Sequence, residues 1–219
     1  MNHPQQPTRI LIVDDHPLVR EGLSMRLSRH PDLQVCGEAA AEEEALTLID
    51  QSLPDFVLVD ISLKSGNGIE LVKRIKSRHP QVKTLVISGF DESLYAERAL
   101  RAGALGYLNK QESNEKLLEA IHTVLAGQRF VSATIAQRLL GQALGDADQT
   151  KSPIDRLSDR ELQIFRIIGE GLSTSVIAER LFISTHTIDT HRENIKHRLG
   201  IGNGGELTRV AVQWVLKNG

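Results

Sequence analysis

The segment Phe56-Val57-Leu58-Val59-Asp60 decides the fold, because it sets four apolar residues directly before a carboxylate. Pro54 precedes the segment and Gly66 follows it, and a short apolar run between turn-forming residues is typical of a buried parallel strand. Open α/β sheets bind their ligands at the carboxyl ends of their strands. Asp60 is therefore expected either at a ligand site or, as is commoner for an isolated strand-end aspartate, as a helix cap.

Apolar strands and amphipathic helices alternate on both sides of this segment. The strands are predicted over residues 9–13, 33–38, 56–59, 82–88 and 105–108. The helices are predicted over residues 18–29, 41–50, 68–78, 94–102 and 113–126. This alternation indicates βαβ units with right-handed crossovers, and therefore an α/β doubly wound parallel sheet. We adopt for it the flavodoxin-like strand order 2-1-3-4-5, which is common in this class.

Periodicity also predicts which side chains face the core. In the first helix, Leu18, Gly22, Met25 and Leu27 are spaced for one broad inward face. The single cysteine, Cys36, lies in the second strand and is expected to be a buried, reduced thiol.

The chain changes character after Gly127, where the alternation of strands and helices stops. One more helix is predicted over residues 133–144, followed by a polar, breaker-rich stretch at 145–153. Beyond that stretch only helices are predicted, over residues 158–170, 173–181, 184–199 and 206–217. We therefore predict a first domain at 8–126, a linker with one helix at 127–152, and an all-α four-helix domain at 153–218.

Composition limits where in the cell the protein is expected and what it can bind. No segment approaches the roughly 18 continuous apolar residues of a membrane span, and the polar first residues do not resemble a secretion signal. A cytoplasmic protein without membrane contact is expected. Residues 151–219 carry ten Lys and Arg against eight Asp and Glu, whereas the rest carries 16 against 20. This asymmetry permits nucleic-acid binding by the C-terminal part but does not demonstrate it.

Five polar residues follow or end the predicted strands, namely Asp14, Asp15, Asp60, Ser88 and Lys110. The three carboxylates should converge at one sheet edge, where their repulsion favours a hard cation such as Mg²⁺. A carboxylate nucleophile, a cation and a fixed ammonium are what an aspartyl phosphate requires. Each residue alone is commonly a cap, a turn former or a solvated charge, so the joint placement carries the inference.

This set resembles the receiver domain of bacterial two-component response regulators, over about residues 8 to 126. The resemblance implies that Asp60 accepts a phosphoryl group from a histidine kinase. It implies Mg²⁺ ligands at Asp14, Asp15, Asp60 and the backbone carbonyl of Ser62. It also implies a phosphoryl-contacting switch formed by Ser88, Tyr107 and Lys110. From the residues alone, Tyr107 is equally consistent with a core aromatic whose hydroxyl reaches the surface.

Three positions depart from the common receiver pattern. Leu63 and Lys64 stand where receivers often have Met-Pro, so the loop after Asp60 is expected to be freer. Phe90 is apolar where some receivers have a polar residue that positions water, and we expect slow hydrolysis of the phosphorylated form.

The C-terminal part contains a helix-turn-helix pattern. Residues 177–184 join two predicted helices, and the second has Ile188, Ile195 and Leu199 on its inward face. The pattern resembles the LuxR-type helix-turn-helix over about residues 153 to 218. The residues that carry the likeness are Leu157, Ser158, Asp159, Arg160, Glu161, Glu170, Gly171, Leu172, Ser173, Ile177, Ala178, Ser184, Thr187, Ile188, His191, Leu199 and Gly200.

Together the two patterns resemble NarL/FixJ-type response regulators, and the likeness covers almost the whole chain. It implies a transcription factor that is not an enzyme, binds a double-stranded DNA operator and forms a homodimer when active. Base-edge contacts are implied for Asp189, Thr190 and Glu193, and phosphate contacts for Thr187, Arg192 and Lys196. Many relatives carry Lys or Arg in place of Asp189, whose carboxylate instead suits cytosine N4.

Two other functions are compatible with the same residues. One is a phosphatase or phosphotransferase that uses Asp60 as its nucleophile, although no further acid stands near Asp60 in sequence. The other is a regulator that senses a small ligand without phosphorylation. The complete strand-end set argues against the second.

Overall fold

The computed structural model describes residues 6–63, 65–144 and 153–218. The chain divides into two compact units, Met1–Ala136 and Gln137–Gly219. Most of the predicted breaker-rich stretch, residues 145–152, lies outside the described residues, as does Lys64. Among the described residues, no helix is long and apolar enough to cross a membrane.

A parallel sheet forms the centre of the first unit. Its strands are β1 (Thr8–Val13), β2 (Leu33–Ala39), β3 (Phe56–Val59), β4 (Lys83–Ser88) and β5 (Gly106–Asn109). The helices that connect and follow them are α1 (Pro17–Leu27), α2 (Glu42–Ser52), α3 (Gly68–Arg78), α4 (Glu92–Ala102) and α5 (Asn114–Leu125). The strand order is β2-β1-β3-β4-β5. The predicted doubly wound sheet and its 2-1-3-4-5 order are therefore confirmed.

The central strand β3 is buried along its whole length, and every residue from Phe56 to Val59 is fully inaccessible. Val59 lies opposite Val13 of β1 and Val86 of β4. Because the three strands run parallel and in this register, the residues that follow them emerge at one edge of the sheet.

Helix α1 has the predicted inward face only in part. Leu18 is 82% exposed and Met25 58% exposed, so their assignment to the core is wrong. Leu27 is buried as predicted, Leu23 is buried one helical turn before it, and half-buried Val19 packs against the same core one turn earlier still. Cys36 is half-buried rather than buried, and it is a free thiol.

The segment after α5 adds to the edge of the sheet. The Tyr107 N–H donates to the Phe130 carbonyl (2.9 Å), and the Phe130 N–H donates to the Leu105 carbonyl (3.0 Å). Two residues further on, the Ser132 hydroxyl donates to the Glu92 carboxylate at the start of α4 (2.7 Å). The predicted linker helix then begins as α6 (Ala133–Ala143).

The second unit is helical, as predicted. A 3-10 turn at Pro153–Arg156, which periodicity did not reveal, precedes α7 (Asp159–Gly169), α8 (Thr174–Arg180), α9 (Thr185–Leu199) and α10 (Gly204–Asn218). Serine side chains cap the first three of these helices, and the predicted capping box of Ser158 and Glu161 is complete. In its core, the Phe165 and Trp214 rings pack edge to face, with centroids 5.7 Å apart.

Candidate functional site

Three carboxylates meet at the carboxyl edge of the sheet, as predicted. Asp14 and Asp60 are almost completely buried, at 0% and 2% exposure, and Asp15 is half-buried. Together with His16, they offer ligand atoms that all lie within 4.8 Å of one another. Carboxylate oxygens at this density are the donors that Mg²⁺ prefers, so the residues present fit such an ion.

His16 is a member of this cluster that sequence reasoning missed. Its Nδ1 lies 2.6 Å from Asp15 Oδ1 and 3.4 Å from Asp14 Oδ1. Its backbone N–H donates to Asp14 Oδ1 (2.9 Å). Adjacency to Asp15 was the only sequence signal, and it is weak because the imidazole is 64% exposed.

Lys110 joins two of the carboxylates. Its Nζ lies 2.6 Å from Asp14 Oδ2 and 3.1 Å from Asp60 Oδ2. The Lys110 backbone N–H donates to the Ser88 carbonyl (2.9 Å), which fixes the residue at the end of β5. Burial alone would lower the pKa of Lys110, but the charges of Asp60 and Asp14 outweigh it and raise that pKa. The side chain is therefore a fixed cation at the edge of the site.

Asp60 does not cap the following helix. The N-cap of α3 is Asn67, whose side chain accepts the Ile69 N–H (2.8 Å). Burial, opposed by Lys110 and reinforced by Asp14, raises the pKa of Asp60 to about 7. Its carboxylate is thus held in an unfavourable charged state, which a bound cation would relieve.

The backbone packs tightly beneath Asp60. A Cβ at Gly68 would lie 1.9 Å from the Asp60 carbonyl oxygen, so only glycine fits at the start of α3. In the loop between Asp60 and Gly68, Ser62 is half-buried and Leu63 is buried. The Ser62 carbonyl stays a predicted metal ligand.

Ser88 and Tyr107 form a second layer beside the carboxylates. Ser88 is fully buried, and its Oγ accepts the Phe90 N–H (3.3 Å). Tyr107 is 2% exposed, and its hydroxyl donates to the Phe90 carbonyl (2.8 Å). The alternative with a surface hydroxyl is therefore wrong. Burial raises the pKa of Tyr107, which keeps it a hydrogen-bond donor.

The six predicted DNA-contacting residues all lie on α9. Ile188 and Ile195 turn inward and are fully buried, and Leu199 is half-buried. The polar residues occupy the remaining surface. Asp189, Thr190 and Glu193 are exposed, whereas Thr187, Arg192 and Lys196 are half-buried.

Several of these polar groups already have partners within the helix. Lys196 Nζ lies 2.8 Å from Glu193 Oε1. The Thr190 hydroxyl donates to the His186 carbonyl (3.0 Å), and the Thr187 hydroxyl lies 2.8 Å from Ser184 Oγ. DNA contacts by these side chains must either replace these bonds or form while the bonds are kept.

Charged side chains connect α8 and α9 to α7 and the 3-10 turn, around the buried Glu161. Arg198 Nε lies 3.1 Å from Glu161, which is itself buried, and Arg198 also donates to the Arg156 carbonyl (2.8 Å). Arg160 donates to the Leu181 carbonyl (3.3 Å), at the end of α8. Sequence reasoning identified Glu161 only as part of a capping box and did not find this second role.

Family models match both units. The response regulator receiver domain matches residues 10–122, and the luxR family of bacterial regulatory proteins matches residues 155–211. Both matches fall within the predicted domain bounds of 8–126 and 153–218.

Whole-chain relatives agree with these matches. The response regulator GacA of Pseudomonas protegens is 36% identical over 205 residues, which cover 94% of this chain and 95% of GacA. The oxygen regulatory protein NreC of Staphylococcus aureus is 35% identical over 210 residues, which cover 94% and 97%. The RcsB response regulator of Salmonella typhimurium shares the fold, at 24% identity, a TM-score of 0.68, and coverage of 95% and 98%.

This chain belongs to the NarL/FixJ-type response regulators of two-component systems, in which a receiver domain precedes a LuxR-type DNA-binding domain. It is a transcription regulator, and its first unit carries the acidic cluster with which receivers can bind a metal ion.

Proposed function

We propose that Asp60 is the phosphoacceptor and that a sensor histidine kinase is its phosphodonor. The observation that carries this proposal is the Lys110 ammonium, which lies 3.1 Å from Asp60 and 2.6 Å from Asp14 in a buried cluster. A half-buried ammonium beside a buried carboxylate is suited to hold the charge that a phosphoryl group brings.

The reaction is a transfer between two side chains. An ionised Asp60 oxygen attacks the phosphorus of the kinase phosphohistidine, and the P–N bond breaks as the new P–O bond forms. The electron pair of the broken bond returns to the histidine nitrogen, and Lys110 pairs with the phosphoryl oxygens of the product. Asp14, Asp15, Asp60 and the Ser62 carbonyl would hold Mg²⁺, which supplies positive charge to those oxygens.

The conformational switch involves Ser88 and Tyr107, which lie beside the carboxylates. Phosphorylation adds about −1.5 to −2 charge and strong acceptor oxygens, which attract the nearest hydroxyl donor. Ser88 is that donor, and its Oγ now accepts from Phe90. If Ser88 moves, Phe90 and the Tyr107 hydroxyl bonded to its carbonyl must rearrange with it. This rearrangement is the output of the domain at 8–126.

The domain at 153–218 receives that output through the linker at 127–152. Asp189, Thr190 and Glu193 would read base edges, while Thr187, Arg192 and Lys196 would contact phosphates of a double-stranded operator. Phosphorylation favours a homodimer, which matches two output domains to paired half-sites.

A small phosphodonor tests the proposal without the kinase. Incubation with acetyl phosphate and Mg²⁺ should add one phosphoryl group to the wild-type chain, measured by intact-mass spectrometry, and none to Asp60→Asn. The label should persist for minutes, because apolar Phe90 does not position an attacking water. A label retained in Asp60→Asn refutes the assignment of the acceptor, and a label lost within seconds refutes the role given to Phe90. Continuous phosphate release would indicate an enzyme instead.

A further inference from the structure

The sequence of the loop that follows Asp60 does little to stiffen its backbone. Its sequence from Ile61 to Asn67 contains no proline and includes Gly66, whose φ is +95°. Such a backbone loses much conformational freedom when it is ordered, so contacts from outside the loop have to hold it. The loop also carries the Ser62 carbonyl, which is the predicted backbone ligand of the metal ion.

Glu42, the first residue of α2, provides such contacts. Its backbone N–H donates to the Ser65 carbonyl (3.3 Å), and its Oε2 accepts the Asn67 N–H (3.4 Å). A Cβ at Gly66 would lie 2.3 Å from the same Oε2, so the loop backbone rests directly against this side chain. The Glu42 side chain is only 12% exposed, which shields these contacts from water.

Arg74 of α3 fixes Glu42 from the other side. Its guanidinium lies 2.7 Å from Glu42 Oε1 and 2.5 Å from Glu43 Oε1. The hydrogen bonds that Arg74 donates to Glu43 and Glu42 raise the pKa of Arg74 above its ordinary value. The neighbouring Glu43 is 77% exposed and serves as a second partner of the same cation.

The far end of the loop is in contact with Asp60 itself. Asn67 is buried and is followed by Gly68, whose N–H donates to the Ile61 carbonyl (2.9 Å). Gly68 also packs against the Asp60 carbonyl, as the clash of a Cβ at that position shows. A displacement of Asn67 is therefore passed directly to the backbone that carries the Asp60 carboxylate.

We propose that Glu42, held by Arg74, is a positioning residue for the phosphoacceptor loop. It sets the backbone of the loop, and through it the Asp60 carboxylate and the Ser62 carbonyl, in the geometry that binds the cation. The inference rests on the proposed role of Asp60. Partners behind metal ligands commonly affect metal affinity by about 10- to 100-fold, and Glu42 acts through the backbone, so we expect about tenfold.

Glu42 and Glu43 make a matched pair for the test. Both residues pair with Arg74 from adjacent positions, and Glu42 in addition accepts the Asn67 N–H of the loop. The full-length chain is prepared as Glu42→Ala and as Glu43→Ala. Mg²⁺ affinity is measured by calorimetric titration, and amide hydrogen exchange over residues 61–67 is measured in the metal-free protein.

Glu42→Ala should weaken Mg²⁺ binding about tenfold and speed exchange in the loop, whereas Glu43→Ala should change both by less than about twofold. Arg74→Gln, which leaves Glu42 present but unfixed, should give an intermediate loss and serves if Glu42→Ala folds poorly. Equal effects of the two glutamate variants, or unchanged loop exchange in Glu42→Ala and Arg74→Gln, overturn the inference.

The wild-type chain separates this outcome from a failure of the proposed function. If the wild type takes up no phosphoryl group at Asp60, the proposed function fails. If the wild type is labelled and the two glutamate variants behave alike, only the positioning role of Glu42 fails.

Discussion

The strand-end cluster and the surface of α9 are built on opposite principles. The cluster brings buried Asp14 and Asp60 and half-buried Lys110 together from the ends of three strands, so Asp60 and Lys110 alter each other's pKa. The α9 surface carries its six predicted DNA-contacting residues on one helix, where the described structure shows an ion pair between Lys196 and Glu193. The effects of substitutions within the strand-end cluster should therefore be non-additive, whereas those of substitutions on α9 should be close to additive.

The largest effect should be that of Asp60→Asn on the free energy of unfolding of the metal-free protein. Burial raises the pKa of Asp60 to about 7, above the roughly 3.9 of an unfolded chain. The folded state therefore holds a proton that the unfolded state has lost, and stability falls as pH rises from about 4 through 7. At pH 8 with a chelator, Asp60→Asn should be more stable than the wild type by on the order of 2 kcal/mol.

Urea unfolding followed by circular dichroism at pH 5 and pH 8 measures this difference. Asp189→Asn provides the control, because it removes a carboxylate from the exposed surface and should change stability by less than about 0.5 kcal/mol. If wild type and Asp60→Asn show the same pH dependence, the cluster is not coupled and the contrast with α9 disappears.

A smaller effect should appear on α9, in the salt dependence of DNA binding. Glu193→Gln removes one negative charge and releases Lys196 from its 2.8 Å ion pair. Asp189→Asn removes the same charge and releases no lysine. On a duplex that lacks the operator, where base edges are not read, both should bind DNA more tightly, but only Glu193→Gln should steepen the plot of log affinity against log salt, by about one unit. Fluorescence anisotropy on one duplex at several salt concentrations measures the slopes, and equal slopes would show that Lys196 is already available to phosphate.

The fold was largely predictable from sequence because strand, helix and turn signals agreed. The periodic runs located all five strands, and the capping signals at Ser113, Ser158 and Ser184 located helix starts. The inward face of α1 was predicted wrongly at Leu18 and Met25, which are exposed. The spacing of Val19, Leu23 and Leu27 in steps of four follows the helical stripe that packs against the core, so this face was present in the sequence.

The residues at the strand ends could be predicted from the sequence, but the contacts between side chains of different elements could not. Strand ends brought Asp14, Asp60, Ser88 and Lys110 together, because the register of a parallel sheet leaves little choice. Contacts between side chains of different elements leave no periodic pattern in the sequence. Examples are Glu42 against the loop after Asp60 and Arg198 against Glu161. These contacts depend on how closely the elements pack, which periodicity does not predict.

The central claim is that phosphorylation of Asp60 controls what α9 binds. Genomic fragments captured by the phosphorylated chain supply an operator, and its affinity is then measured for wild type and Asp60→Asn, with and without acetyl phosphate and Mg²⁺. Coupling between sites commonly amounts to about 5- to 150-fold, so we predict that wild-type affinity rises at least about fivefold on phosphorylation and that Asp60→Asn does not respond. An equal rise in Asp60→Asn, or no rise in a fully labelled wild type, would contradict the account.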